Sequence, residues 1–554
     1  IFYTNSSMDP GVVDNDFKVS GKSSNNWYQP AGGYNTTQFY GADKVVGYDQ
    51  YFGGSQDNGT FLSPRNQIAD ETTTWSFEIG GDGFEAIAHH TDPNKLIGGS
   101  QGNNFYRSTN GGASWNYAQY GLEGSDPFIT RLSSPFQDPD VLYAVTSFGV
   151  MKSNDFGQSW QAKQVEGNWS SSFWSGTDVE VSLANPRYIW AGSSMSTAGN
   201  IFLSKDWGET YESVPNFSNL GRTSGIYSHP TEDSTAYVLF GMPGAAKVLQ
   251  TKDLGETWED LSGFTNSTDG KSLNGFPDVP VYSFLVMPQN KDIMWAGTEV
   301  GLIESTDGGT SWHLVESNLP YVTIWDLKLK DEGQIVIATH GRGVWTATID
   351  DLKSYEPKPA ILPPFILSAY QLDSEDSYVI STNINIKSSY DSLVIKANNV
   401  QRDVFQNVDK SDSTNFVFEV DDKGDYTIQA FGYKDGLEHP SNEYDIILNP
   451  TLQPRTEYST TFSDLVGDEF GLDRFRIGIQ GGFQGRQLHT EHPYESGVAG
   501  GYDNGYSVHA QLNIPIIITD YTPSIRFKEI VLVEPGEPGT SFGDWNFWDY
   551  VIVE

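Results

Sequence analysis

"SKDWGETY", residues 204–211, puts an Asp and a Gly into a short polar run that ends on an aromatic ring. Near-copies stand at 153 ("SNDFGQSW"), 251 ("TKDLGETW") and 305 ("STDGGTSW"), with a variant at 108 ("STNGGASW"). A segment repeated at fixed spacing sets the architecture, so it is read first. The Asp/Asn positions are Asn110, Asp155, Asp206, Asp253 and Asp307, in steps of 45, 51, 47 and 54 residues. Those steps suit one four-stranded propeller blade each. Within the eight letters, the carboxylate or amide oxygen can accept backbone N–H groups of its own turn. Gly supplies a positive φ, and the terminal ring buries itself against the next strand. The five Asp/Asn residues therefore read as structural turn caps.

A second periodic signal completes the blade. Pro turns followed by short apolar strands occur in "DPNKLIGGS" (92), "DPDVLYAVTS" (138), "NPRYIWAGSS" (185) and "MPQNKDIMWAGTE" (287). Each unit reads strand, Pro turn, strand, short turn, strand, Asp turn, strand. Third-strand marks near Phe2, Phe61, Phe105, Val150, Ile201, Val248, Leu302 and Val344 leave seven intervals, and about seven blades is the simplest closure. On this count the propeller spans 1–350 and Ile1 enters in mid-blade. Either the strands at 322–349 complete that blade, or further blades precede it.

Composition narrows the function. The 554 residues carry 72 acidic against 33 basic side chains, a formal charge of −39, with no Lys/Arg stripe. Such a chain repels polyanions, so nucleic acid is excluded as a partner. Cys is absent, which removes disulfides and Cys-type zinc sites. No apolar run approaches the roughly 20 residues that span a bilayer. The chain contains no P-loop, no Gly-x-Ser-x-Gly elbow and no His-Glu-x-x-His.

The five boxes resemble the Asp-box (BNR) repeats of sialidases, family 74 xyloglucanases and sortilin-type propellers. "GGSQDNGT" (53–60), "GGDGF" (80–84) and "ATHGRGVW" (338–345) look most like the xyloglucanase and sortilin-like branch. The resemblance covers roughly residues 1–350. It implies a propeller but not an activity, because such propellers host both hydrolases and binding modules. The three-Arg clamp and Arg-Ile-Pro strand of sialidases have no counterpart here. The family 74 pattern implies a catalytic Asp in a Thr-Asp-x-Gly-Gly turn, which would fall upstream of Ile1.

Strand connections alternate ends, so the Asp turns and Pro turns share one face. The turns between second and third strands share the other with the blade-to-blade loops. That second face carries Asp57, Asn58, Asp82, Asp126, Asp178, Arg222, Asp278, Trp325, His340 and Arg342, and it is the expected ligand face. Each of these residues also has a plain reading as a solvated or turn-capping side chain. Trp325 either stacks on a sugar or is buried between blades.

After Ile349 the pattern changes. A charged, Pro-rich linker, "DDLKSYEPKPAILPPF", marks a boundary at 351–360. Residues 361–450 alternate as short strands and are expected to form an immunoglobulin- or fibronectin III-like sandwich. Residues 451–554 resemble the jelly-roll modules appended to exported surface proteins of Bacteroidetes-type bacteria, with the final strand stopping as if further chain followed. In that segment Asp468, Asp473, Asp544 and Asp549 are candidate oxygen ligands for Ca²⁺. His489 and His492 read as packing or capping residues before metal ligands.

The sequence thus predicts an all-β chain: a propeller, a sandwich and a jelly roll. The expected function is non-catalytic binding, adhesion or scaffolding outside the cell or on its outer surface, with a polysaccharide or protein as partner. The alternative is a family 74-type glycoside hydrolase whose catalytic turn lies partly outside this chain.

Overall fold

The computed structural model describes residues 37–448 apart from 71–72, 125, 166, 198, 218–219, 331–332 and 373–377. It also describes 3–4, 27–28 and parts of 452–517. The chain divides into two compact units, 1–358 and 359–554.

In the first unit, six four-stranded antiparallel sheets span 39–79, 86–117, 132–164, 178–213, 223–260 and 281–314, and a three-stranded sheet spans 323–348. Strand order within each sheet follows the chain, so every sheet is a meander. Central strands such as Ile189–Ser193, Ala236–Phe240 and Met294–Thr298 are buried along their whole length. This explains why they read as unbroken apolar runs, since a strand covered on both faces has no solvent side to alternate with.

Seven apolar clusters tie the sheets together, six of them bridging neighbours in sequence. One cluster packs Val336 and Ala338 of the last sheet against Phe39, Ala42 and Tyr51 of the first. A bridge between Gln38 and His340 lies beside it. The seven sheets therefore close into a ring, a β-propeller, with the first strand of each at the axis. Trp160, buried in the cluster between the second and third blades, fixes one such joint; its indole N–H donates to the Ala118 carbonyl at 2.8 Å. Truncating it to Ala would cost about 3–5 kcal/mol.

The repeated eight-letter segments connect third to fourth strands in blades 2 to 6. In the fourth blade, Asp206 Oδ1 accepts the N–H groups of Glu209 (3.1 Å) and Thr210 (3.0 Å), and Oδ2 accepts the Thr210 hydroxyl at 2.5 Å. Ser204 Oγ donates to Oδ1 at 2.7 Å and accepts the Gly208 N–H. The residue after the Asp takes a positive φ, +67° at Trp207 and +56° at Phe156, and Gly follows it in the same region. Tyr211 is buried. Asn110, Asp155, Asp253 and Asp307 likewise accept, through Oδ1, the N–H four residues on in their own turns.

The seven sheets agree with the expected count of about seven blades. Residue 2 lies outside the described residues, and Tyr3–Thr4 pairs with Trp27–Tyr28 in a separate two-stranded sheet. The sheet spanning 39–79 has Phe39–Lys44 as its innermost strand. Residues 323–348 form the seventh sheet, three-stranded among the described residues.

In the second unit, 365–448 forms two antiparallel sheets around one core. Ile380, Ile384, Phe416 and Phe418 of a three-stranded sheet face Leu393, Ile395, Ile428 and Ala430 of a five-stranded one. Beyond it, Phe470–Asp473 pairs with His509–Leu512, and Phe475–Ile479 with Arg486–Thr490. Asp468, Asp544, Asp549 and His492 lie outside the described residues, as does the side chain of Asp473. His489 lies opposite Arg476 in the second pair. Among the described residues, no three His, Asp or Glu side chains are grouped to hold a metal.

Candidate functional site

Each innermost strand begins at the face that carries the 2–3 turns. In blades 1, 5, 6 and 7 its pairing slips by one residue near this start, leaving Tyr40, Ser224, Tyr282 and Trp325 as the extra residues. Such a β-bulge re-aims the side chain it inserts. Here it brings three aromatic rings together at the axis. Tyr282 stacks on Trp325 with centroids 4.5 Å apart, and Trp325 meets Tyr40 edge-on at 4.3 Å. His340 lies against both, at 4.9 Å from Tyr40 and 5.2 Å from Trp325.

The ring contacts continue across the face. Tyr40 touches Phe84 (4.9 Å), Phe84 touches Phe128 (5.3 Å), and Phe128 touches Phe173 (5.4 Å) and Trp174 (5.1 Å). The inner members are buried or half-buried, whereas Phe173 is 40% and Trp174 74% exposed. Tyr321, Val300, Phe148 and Met242, in loops of the same face, are exposed as well.

Further along the same strands, the axis is charged. A cavity of about 140 Å³ is lined by Asp43, Glu85, Arg131, Asp178, Glu180, Asp326, Lys328 and Lys330, together with apolar residues of the innermost strands of blades 2 to 7. Lys330 Nζ is 2.7 Å from Asp43 Oδ1, Lys328 pairs with Glu85, and Arg131 lies 3.8 Å from Asp178 and 3.7 Å from Glu85. Burial alone would raise the Asp43 carboxyl, but Lys330 and Lys328 outweigh it and hold it low. Arg131 is likewise favoured as a cation against its burial by Asp178, Tyr227 and Glu85. Glu180 and Asp326 go the other way: burial pushes them up to about 8 and about 7.

The residues expected on the ligand face fall into three groups. Trp325 and His340 belong to the aromatic roof, and Asp178 belongs to the charged axis. The others are distributed around the rim. Asp82 Oδ1 accepts the Asp57 N–H at 2.7 Å, with Asp57 at φ +61°, so the two acids form one turn. Asn58 Nδ2 donates to the Gln56 carbonyl in that turn. Here "GGSQDNGT" and "GGDGF" gain a physical reason: a Cβ on Gly54 would lie 2.3 Å from the Phe84 carbonyl oxygen, and one on Gly83 2.4 Å from that of Gly59. Asp278 pairs at 2.7 Å with Lys247, whose side chain is fully buried, and accepts the Gly244 N–H. Asp126 accepts Asn103 Nδ2 at 3.0 Å, and burial pushes it up to about 6. Arg222 is exposed near Tyr282, and Arg342 sits in the last 2–3 turn with its N–H on Thr339 Oγ1.

Sequence reading missed Tyr40, Phe84 and Tyr282, and the axial charges Asp43, Glu85, Arg131, Glu180, Asp326, Lys328 and Lys330. A charged letter inside an otherwise apolar inner strand, as in "GADKVV", "DVEVSL" and "WDLKLK", was the available signal.

Fold and site together define a β-propeller protein. No protein-family model matches the chain, and no curated protein matches it. Among solved structures it is similar to YCF48 from Cyanidioschyzon merolae, at 13% identity and TM-score 0.39, over 57% of this chain and 97% of that one. It is similar to the GH74 xyloglucanase from Xanthomonas campestris at 14% identity and TM-score 0.43, over 74% and 68%. The extracellular domain of BT4673 from B. thetaiotaomicron gives 12% identity and TM-score 0.39, over 75% and 56%. These likenesses concern the fold alone.

Proposed function

We propose that the protein is a non-catalytic binding protein that works outside the cell or on its surface, presenting the 2–3-turn face of the propeller to a glycan or a protein. The observation that carries this reading is the chain of ring contacts from Tyr282 to Trp174, which ends in two rings open to solvent. Tyr and Trp faces bind sugars and protein partners alike at low entropic cost. The acids of the rim are committed elsewhere: Asp82 to the Asp57 N–H, and Asp278 to Lys247. A glycosidase needs two carboxyl groups held about 5–9.5 Å apart across a cleft.

One observation favours the hydrolase alternative. Asp126, half-buried and raised to about 6, has the character of a general acid. Incubating the full chain with β-glucans, xyloglucan and sialosides and measuring reducing ends separates the two. Binding without turnover, weakened by Trp174→Ala at unchanged melting temperature, supports the binding reading. Turnover that Asp126→Asn abolishes overturns it.

The same reading extends to the second unit. Its eight strands, taken in order, are arranged 1-2-5 and 4-3-6-7, with the eighth also paired to the sixth, which supports a fibronectin III-like spacer. A jelly roll holding Ca²⁺ in 451–554 completes the proposal, as does the Asp-box kinship of the repeated turns.

A further inference from the structure

The axial cavity is charge-unbalanced in a specific way. Five carboxylates line it: Asp43, Glu85, Asp178, Glu180 and Asp326. Three permanent cations face them, Arg131, Lys328 and Lys330, so two negative charges are left over if all ionise. His90 does not make up the difference, because burial and Lys330 push it down to about 3. The surplus falls on identifiable groups. Glu180 Oε1 is met only by the N–H and hydroxyl of Ser228, on the neighbouring blade. Asp326, 7% exposed, has Lys328 at 3.6 Å, an ammonium that is also engaged by Glu85 and the Ala86 carbonyl.

A second observation points to a missing occupant. Asp326 Oδ2, an acceptor on a lining side chain, is buried without a hydrogen-bond donor, although buried polar atoms nearly always have a partner. The remaining wall is aliphatic and aromatic, including Ile87, Leu132, Val179, Ile226 and Leu285. A hydrated metal ion is a poor fit to such a wall, and the carboxylates are not grouped to coordinate one. An ammonium group on a short hydrocarbon body satisfies both parts of the lining, with N–H donors for the carboxylates and methylenes for the apolar wall.

We propose that the propeller axis is a binding site for a small aliphatic primary amine, its ammonium held by Asp326 and Glu180 and its hydrocarbon body packed on the apolar side chains of the inner strands. This goes beyond the surface binding argued above and does not depend on it. Occupation also has a chemical signature. Burial holds Glu180 largely and Asp326 about half protonated near neutral pH, against the pull of Lys328 and Arg131 on Asp326. An entering ammonium favours their carboxylates, so binding releases protons.

The test is calorimetric titration of the full chain with 1-butylammonium at pH 7, in two buffers of different ionisation enthalpy. 1-Butanol and NaCl serve as controls, alongside melting curves. The expected result is a melting temperature raised by the amine alone, with proton release between about half and two per site. Asp326→Asn and Glu180→Gln should each weaken binding about tenfold or more and reduce the protons released. Should a variant fail to fold, the wild-type comparison of amine, alcohol and salt still decides. Equal stabilisation by 1-butanol or NaCl, or amine binding without proton release, overturns the proposal.

Discussion

Replacing Asp206 by Ala tests whether the repeated turn is a structural cap. The substitution removes the acceptor for two backbone N–H groups and for the hydroxyls of Ser204 and Thr210. Thr210 is exposed and the turn is only half-buried, so water replaces part of what is lost. The loss is then that of a helix N-cap, about 1–2 kcal/mol, not that of a buried charge. With an unfolding entropy of about 2.1 cal/mol/K per residue, a 358-residue unit loses about 1–3 °C in melting temperature. Asp206→Asn supplies the control, because the protein already uses it. In the second blade Asn110 Oδ1 accepts the Ser114 N–H at 2.9 Å and the Ser108 hydroxyl at 2.8 Å, and its Nδ2 donates to Ser114 Oγ. Calorimetry of the full-length protein should therefore rank wild type, then Asn, then Ala. If Asn is as damaging as Ala, the backbone-capping account fails. Lost ligand binding at unchanged stability would refute the structural role altogether.

Three further outcomes are expected. Glu180 is protonated in the fold and has a raised carboxyl pKa of about 8, so between about pH 4.5 and 8 the native state binds the extra proton. Its share of stability is intact below that window and is lost as the pH rises through it. Glu180→Gln should thus match wild type near pH 5 and exceed it at pH 9 in denaturant melts; equal slopes in the two proteins would sink the assignment. Asp278→Ala leaves the buried Lys247 ammonium with only the Met242 carbonyl and the Phe264 ring and should destabilise by about 1–3 kcal/mol, whereas a neutral outcome in the same melts would return Asp278 to the list of ligand contacts. EDTA should lower the unfolding transition of the second unit if its last segment holds Ca²⁺; an unchanged transition in the full-length chain removes the ion.

What the sequence made legible was local. The repeated turn closes its hydrogen bonds within eight residues, so eight letters suffice to read it, and the Pro turns and short apolar strands add the blade around it. The count was harder. Of the third-strand marks, Phe2 lies outside the described residues, and a short apolar pair looks the same in sequence wherever it lies, because only pairing makes it a blade strand. The roof was legible only in Trp325 and His340, not as a cluster. Tyr40, Tyr282 and Trp325 meet because a one-residue slip re-aims each of them, and a slip is a property of two strands, not of one.

The axis also explains why the inner strands of a repeat protein must diverge. Register places Gly41, Glu85, Arg131, Asp178, Gly225, Ser283 and Asp326 at the same level of the seven blades. Seven copies of any one of the larger residues could not share that level. Seven carboxylates would repel one another in a low dielectric, and seven large side chains would overfill the space. A Cβ on Gly41 would already stand 3.1 Å from Glu85 Oε1. The glycines and Ser283 make room, and the ion pairs of Arg131 and Lys328 neutralise most of the remainder. The turn that supports each blade can therefore stay nearly constant, while the residues at the axis are forced apart by geometry. That divergence gives a near-symmetric ring one wall unlike the others, which is the condition for holding a ligand in a single orientation.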